Sequence, residues 1–247
     1  MLIHEGICDS RMWDPQWETF TRAHRVMRYD QRGFGRSPLE PGGPYSDGRD
    51  LVELMEQHGL ESASLVGVSV GGRIALEVAV GRPELVDALV LVGAGLPGHD
   101  WSDDMSAADA EEEAALERGD LDAAVEVTLR TWVDGPRRNP DQVDQSVRAR
   151  VAEMQRRAYE LQLPVLDAIE EEPLVDGLPE RLPDVTAPTL VLVGDEDVPD
   201  IHRIADRLER DIPGARRASI AEAAHVPSME RPEEFNALVL GFLDEPR

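Results

Sequence analysis

Lysine is absent from this 247-residue chain, whose 25 basic residues are all arginine. That removes any Schiff-base, P-loop or amine-nucleophile chemistry that depends on a lysine side chain. Cysteine is almost absent too. Cys8 stands alone, so neither an internal disulfide nor a cysteine-based metal cluster can form, in keeping with a reducing compartment. No apolar run reaches the roughly 18 residues of a membrane span, and the start, Met1-Leu2-Ile3-His4-Glu5, has neither a basic leader nor an apolar stretch of signal-peptide length. A soluble, cytoplasmic protein is expected. Positive charge is scarce: 25 arginines against 50 acidic residues leave a net charge of −25. A surface of that sign repels phosphate backbones and anionic headgroups, so neither nucleic acid nor membrane is expected as a partner.

Apolar material is sufficient for a core, at 41% hydrophobic against 30% charged residues, and the length fits one large domain or a core with an insertion. Short, mostly apolar runs at 25–29, 64–66, 88–92 and 189–193, each followed by Gly or Asp, read as buried parallel strands. Helical patterns lie between and after them at 46–58, 72–80, 201–211 and 232–243, the last opened by Pro232. This alternation predicts a three-layer α/β sheet. From about Leu96 to Pro183 the rhythm breaks: no convincing strand is visible, and helical stretches fall near 107–117, 121–132 and 141–162. The expected division is an α/β core over 1–97, a helical insertion over 98–185 and the rest of the core over 186–247. Between Asp100 and Asp184 stand 23 acidic residues and nine arginines, so −14 of the net charge sits in the insertion, where a charge run reads as a solvated face.

The stretch richest in chemical information is Ala63 to Leu76, where a strand pattern ends in Gly67-x-Ser69-x-Gly71 and a helix pattern starts at once. A nucleophile elbow requires this context. Ser69 must sit on a sharp turn with its hydroxyl exposed, while Gly67 and Gly71 leave room for backbone that passes too close for a Cβ. The first amides of the helix then point at charge developing on a substrate. A dinucleotide-binding turn is the rival reading, since Gly67, Ser69 and Gly72 occupy the three glycine positions of G-x-G-x-x-G. A side chain at the second of these obstructs a pyrophosphate, which counts against a cofactor.

A serine hydroxyl is a weak nucleophile and needs a base, which in turn needs a carboxylate to fix its tautomer. After the strand at 189–193 comes Gly194-Asp195-Glu196-Asp197-Val198-Pro199-Asp200, a carboxylate cluster at a strand's C-terminal end. One helix and one short strand later stands His225, ahead of the final helix; His24, His58, His99 and His202 read as surface or helix residues. Physical reasoning alone leaves Asp195, Asp197 and Asp200 open.

With these motifs in hand the chain resembles the α/β-hydrolase superfamily nearly from end to end. The matching residues are His4-Glu5-Gly6 with Asp9-Ser10-x-x-Trp13, Asp30-x-Arg32-Gly33-x-Gly35-x-Ser37, the elbow, Gly194-x-x-Asp197, and His225-x-Pro227-x-x-Glu230-x-Pro232. The resemblance implies Ser69 as nucleophile, His225 as general base and then acid, and Asp197 as the orienting carboxylate. It also implies an oxyanion hole from the backbone amides of Gly6 and Val70, and neither cofactor nor metal. Asp30, Arg32 and Ser37 read as scaffold, an Arg–carboxylate pair bracing a turn. Cys8, Trp13 and Trp17 read as packed side chains, and Trp101 and Trp132 as core or pocket residues of the insertion.

Two features depart from the family pattern. His-Gly is usual where this chain has His4-Glu5, and a leading antiparallel hairpin usually precedes that strand, where only Met1, Leu2 and Ile3 stand here. That hairpin would cover strand 25–29, which is therefore expected as an exposed edge through which a homodimer can form. The function implied is hydrolysis of a small ester or lactone through an acyl-enzyme, with the insertion as a cap. Carbon–carbon bond hydrolases and cofactor-free haloperoxidases use the same triad, although the latter usually carry Met where Val70 stands. Epoxide hydrolases and haloalkane dehalogenases attack with Asp in place of Ser69. The acidic insertion disfavours a polyanionic substrate such as an acyl-CoA. A non-catalytic ligand receptor of the same fold is the alternative from another class.

Overall fold

A computed structural model describes residues 1–245. Its main sheet has five strands, β1 (Leu2–Ile3), β3 (Ala63–Val68), β4 (Val86–Val92), β6 (Thr189–Gly194) and β7 (Arg216–Ile220), in that spatial order and all parallel. β4 exposes only Asp87 and β6 nothing, because parallel strands covered on both faces read as continuous apolar runs. Alternate side chains go to opposite faces. Leu65, Leu89, Leu91, Val191 and Val193 pack with the helices α2 (Asp47–Gln57), α3 (Val70–Gly81) and α7 (Pro199–Asp211). Val66, Val68, Val90, Val92, Leu190 and Leu192 pack with α1 (Asp14–Ala23) and α9 (Pro232–Leu243) on the other side. The three layers expected from the alternation are present.

The segment between β4 and β6 carries α4 (Asp103–Glu117), α5 (Leu121–Thr128) and α6 (Gln145–Gln162), each started by a side-chain cap: Ser102 accepts from Met105 N, Asp120 from Ala123 N and Asp144 from Ser146 N. Its apolar residues Val125, Leu129, Val133, Val151 and Met154 join the cluster that holds Trp13 and Phe235, so it is packed onto the core. A four-residue helix, α8 (Pro227–Glu230), precedes α9.

Three expectations need correction. The strand at 25–29 is reduced to a single parallel bridge from Arg28 to Leu2, with Leu2 N donating to Met27 O at 2.8 Å. The strand it would join, β1, has only two residues and pairs through both of them with β3, while on its other edge only Leu2 is bridged. Between β4 and β6 there is a strand after all: β5 (Ile169–Glu171) pairs in parallel with β2 (Gly43–Tyr45) in a separate two-stranded sheet. Arg32 does not brace Asp30; it donates to Asp50 on α2. The turn is held instead by the Asp30 carboxylate, which accepts from Ser10 N at 2.9 Å and Arg36 N at 3.0 Å, and by Ser37 Oγ donating to Asp30 O at 2.8 Å.

Candidate active site

The site is built where β3 turns into α3. Ser69 has φ 51° and ψ −113°, a left-handed conformation that costs a non-glycine residue of order 1–3 kcal/mol and survives only where its surroundings enforce it. The enforcement is close packing. A Cβ on Gly67 would lie 2.2 Å from Gly71 O, and one on Gly71 would lie 2.4 Å from Ile3 O, so the sequence needs glycine at both places for contact reasons. Ser69 N donates to Val92 O at 2.9 Å, and Gly95 N to Ser69 O at 3.0 Å, which ties the elbow to the exit of β4. The Ser69 side chain is half-buried.

The loops after β6 and β7 supply the other two groups. Val198 N donates to Asp197 Oδ1 at 2.8 Å, Asp197 N to Gly194 O at 3.1 Å and Glu196 N to Ala223 O at 2.8 Å, so the two loops lie against each other. Asp197 Oδ2 is 2.8 Å from His225 Nδ1, with both side chains almost fully buried. A carboxylate there accepts the Nδ1–H and leaves Nε2 as the basic nitrogen. Burial alone would lower the His225 pKa, but the charge and hydrogen bond of Asp197, with Glu5 and Glu230 behind it, hold it above the usual histidine value. The other two candidate carboxyls sit elsewhere. Asp195 is exposed, and Asp200 accepts from Ser102 N at 3.0 Å and Ser102 Oγ at 2.7 Å and lies 3.1 Å from His99 Nε2.

Gly6 and Val70 are neighbours, since a Cβ on Gly6 would come within 3.2 Å of Val70 Cγ2. The Val70 amide is the first of α3 and so has no intrahelical acceptor. The loop carrying Gly6 is pinned by His4, whose Nδ1 lies 2.8 Å from Glu5 O and whose Nε2 accepts from Gln31 N at 2.9 Å; burial holds this imidazole below its ordinary pKa and so neutral.

Asp197 and His225 are thus in direct contact, and Gly6 and Val70 lie near each other. Among the described residues the Ser69 hydroxyl has no hydrogen-bond partner, so no Ser69–His225 bond is closed. Such bonds are often long before substrate binds. His225 Nε2 instead faces Glu5 Oε2 at 3.8 Å.

Residues of the insertion complete the surroundings. A π-type turn over Leu129–Asp134 extends α5 and places Trp132 with its ring 4.5 Å from the His225 ring and its carbonyl accepting from His225 N at 3.1 Å. Trp101 packs edge-on against Trp132 at 6.4 Å. Arg138 bonds Glu230 at 2.8 Å and donates to the carbonyls of Val133, Asp134 and Glu222. Glu230 in turn accepts from Ala224 N at 2.7 Å, so the residue before His225 is held through an ion pair to the insertion. No spacing in the sequence signals Arg138. Trp17, expected as packed, is 37% exposed and lies under Arg28 instead.

Residues 1–232 match the family described as alpha/beta hydrolase fold. The putative carbamate hydrolase RutD of Azorhizobium caulinodans is 29% identical over 94% of this chain and 86% of its own. The 3-oxoadipate enol-lactonase 1 of Acinetobacter baylyi is 22% identical over 95% and 84%. A solved structure of a hydrolase from Pseudomonas aeruginosa superposes with a TM-score of 0.75 at 27% identity, covering 99% of this chain and 89% of that one. With the family match spanning nearly the whole length, the parallel sheet and its strand-to-helix elbow place this chain in the alpha/beta hydrolase fold family.

Proposed function

We propose that this hydrolase cleaves a small carboxylic ester or lactone through an acyl-enzyme on Ser69. The observation that carries the reading is the buried Asp197–His225 contact of 2.8 Å, beside an elbow that holds a serine at φ 51° with its side chain half-buried. Ser69 Oγ attacks the carbonyl carbon while His225 Nε2 takes its proton, and Asp197 remains ionised beside the imidazolium. The amides of Gly6 and Val70 receive the charge on the former carbonyl oxygen, each donor of this kind being worth about 2.7–4 kcal/mol in the transition state. His225 then protonates the leaving oxygen as the C–O bond breaks. Water, deprotonated by the same nitrogen, attacks the acyl carbon and restores the Ser69 hydroxyl. The insertion acts as a cap, with Trp132 packed against His225 and Trp101 against Trp132. Kinship with a protein named as an enol-lactonase supports the lactone branch.

A second reading has its own support: the relatives named as putative carbamate hydrolases align over 94% and 98% of the chain. The same acyl transfer then releases an amine or ammonia instead of an alcohol. Purified protein should hydrolyse p-nitrophenyl acetate or butyrate, and Ser69→Ala should lower this rate by several orders of magnitude. Equal rates for the two proteins contradict both readings. A screen of esters, lactones and carbamates of graded size chooses between them by kcat/KM.

A further inference from the structure

Glu5 stands where the family pattern has glycine, and the mechanism above leaves it without a task. It is completely buried, and neither carboxyl oxygen has a strong hydrogen-bond donor, the weak Cys8 thiol being the one beside it. Its Oε2 lies 3.8 Å from Nε2 of His225, the nitrogen opposite the one that Asp197 holds. An ionised carboxylate with only a weak thiol donor beside it is expensive to bury, so such a group either keeps its proton or sits beside a cation. The one group able to become that cation at Nε2 is the His225 imidazole. We propose that Glu5 and His225 hold one proton between them through charge rather than a hydrogen bond, the Glu5 carboxylate favouring its place on Nε2, so that Nε2 becomes free to accept the Ser69 proton once that proton is released. Glu5 is then a positioning residue that sets the pH at which the candidate base is available, an inference that rests on His225 being that base.

The surroundings of the pair fit this role. Cys8 borders Glu5 from the same loop, its thiol pushed up by burial and by the Glu5 charge. Asp197 reaches the pair from the loop after β6, and Glu230 from α8, its own charge met by Arg138. Burial raises the Glu5 carboxyl to about 7 even though His225 and Cys8 pull it down. Its charge, with those of Asp197 and Glu230, raises His225 against the opposing effect of burial. Each partner therefore titrates under the control of the other. Ionised Glu5 favours the imidazolium and delays the base; removing that charge releases the base at lower pH.

The test has two arms. In the first, the rate at which a fluorophosphonate labels wild type and Glu5→Gln is followed against pH. The acidic limb should move down by roughly one pH unit or more in the variant, as expected for loss of a charge within about 4–6 Å. Coincident limbs overturn the proposal. In the second, Ser69→Ala protein labelled at histidine nitrogen and glutamate carboxyl carbon is titrated by NMR with the Glu5 side chain intact. The Glu5 carboxyl and His225 Nε2 signals should move through the same midpoints, and independent midpoints overturn the proposal even if Glu5→Gln does not fold. Absence of label on wild type would sink the hydrolase reading, whereas the NMR titration would still decide the proton sharing.

Discussion

Asparagine at position 197 keeps the shape of the side chain but reverses its hydrogen-bond polarity toward His225 Nδ1, fixing the imidazole in the wrong tautomer. Asp197→Asn should lower kcat for p-nitrophenyl butyrate on the order of a thousandfold or more, while Asp200→Asn, whose partners are Ser102, His99 and Arg203, should stay within about tenfold of wild type. Steady-state kinetics of the two variants check this, and a reversed ranking would show that the wrong carboxylate has been assigned. The spacing after Gly194 points to Asp197 only through the family resemblance; the three carboxyls are chemically alike in sequence, and their partners in three dimensions tell them apart, Asp197 being the one against His225. Glu5 makes a second prediction at this scale. Its folded-state pKa is raised from 4.5 to about 7, so the unfolded chain loses the proton first. The stability it confers is full below the unfolded value and is lost as pH rises through about 7. Urea melts should therefore find Glu5→Gln gaining on wild type between pH 4.5 and 8 by up to about 3 kcal/mol, with a pH-independent gap contradicting the shift.

Elements were legible in proportion to their apolar periodicity. The helix at 232–243 has the expected bounds, and 46–58 differs by one residue at each end, because Leu51 and Met55 of one, and Phe235 and Val239 of the other, are buried along one face. The two strands of the small sheet escaped notice because Gly43, Pro44, Glu170 and Glu171 are exposed, so their pairing leaves no hydrophobic signature. The pattern at 121–132 reads as one helix, but the backbone widens after Thr128 to bring the Trp132 carbonyl to His225, a tertiary demand that no local propensity records. The elbow was the most legible element, since its glycines answer to backbone contacts. A methyl group at Gly71 meets Ile3 O and His4 O at 2.4 and 2.5 Å, which flexible side chains cannot relieve. Gly71→Ala should cost about 1–3 kcal/mol or more in chemical denaturation and displace the loop carrying Gly6. Wild-type stability in this variant would contradict the close approach of β1 to α3.

For the whole molecule the dominant physical quantity is the net charge of −25, more than half of it between Asp100 and Asp184. Self-repulsion of this size is weakened when the Debye length shrinks from about 30 Å at 0.01 M to about 3 Å at 1 M salt. The thermal midpoint should therefore rise with sodium chloride over that range; a fall would mean that the exposed arginine–carboxylate pairs outweigh the repulsion. Among the described residues no helix is long and apolar enough to cross a membrane, and no group of three or more His, Cys, Asp or Glu could hold a metal ion. The proposed chemistry at the elbow rests on the acylation of Ser69, and one measurement addresses it directly. Wild-type protein treated with a fluorophosphonate and digested should carry the phosphonyl group on the peptide containing Ser69, with labelling abolished by Ser69→Ala and strongly slowed by His225→Gln. Folded wild-type protein that stays unlabelled, or that is labelled elsewhere, would contradict the account at its centre.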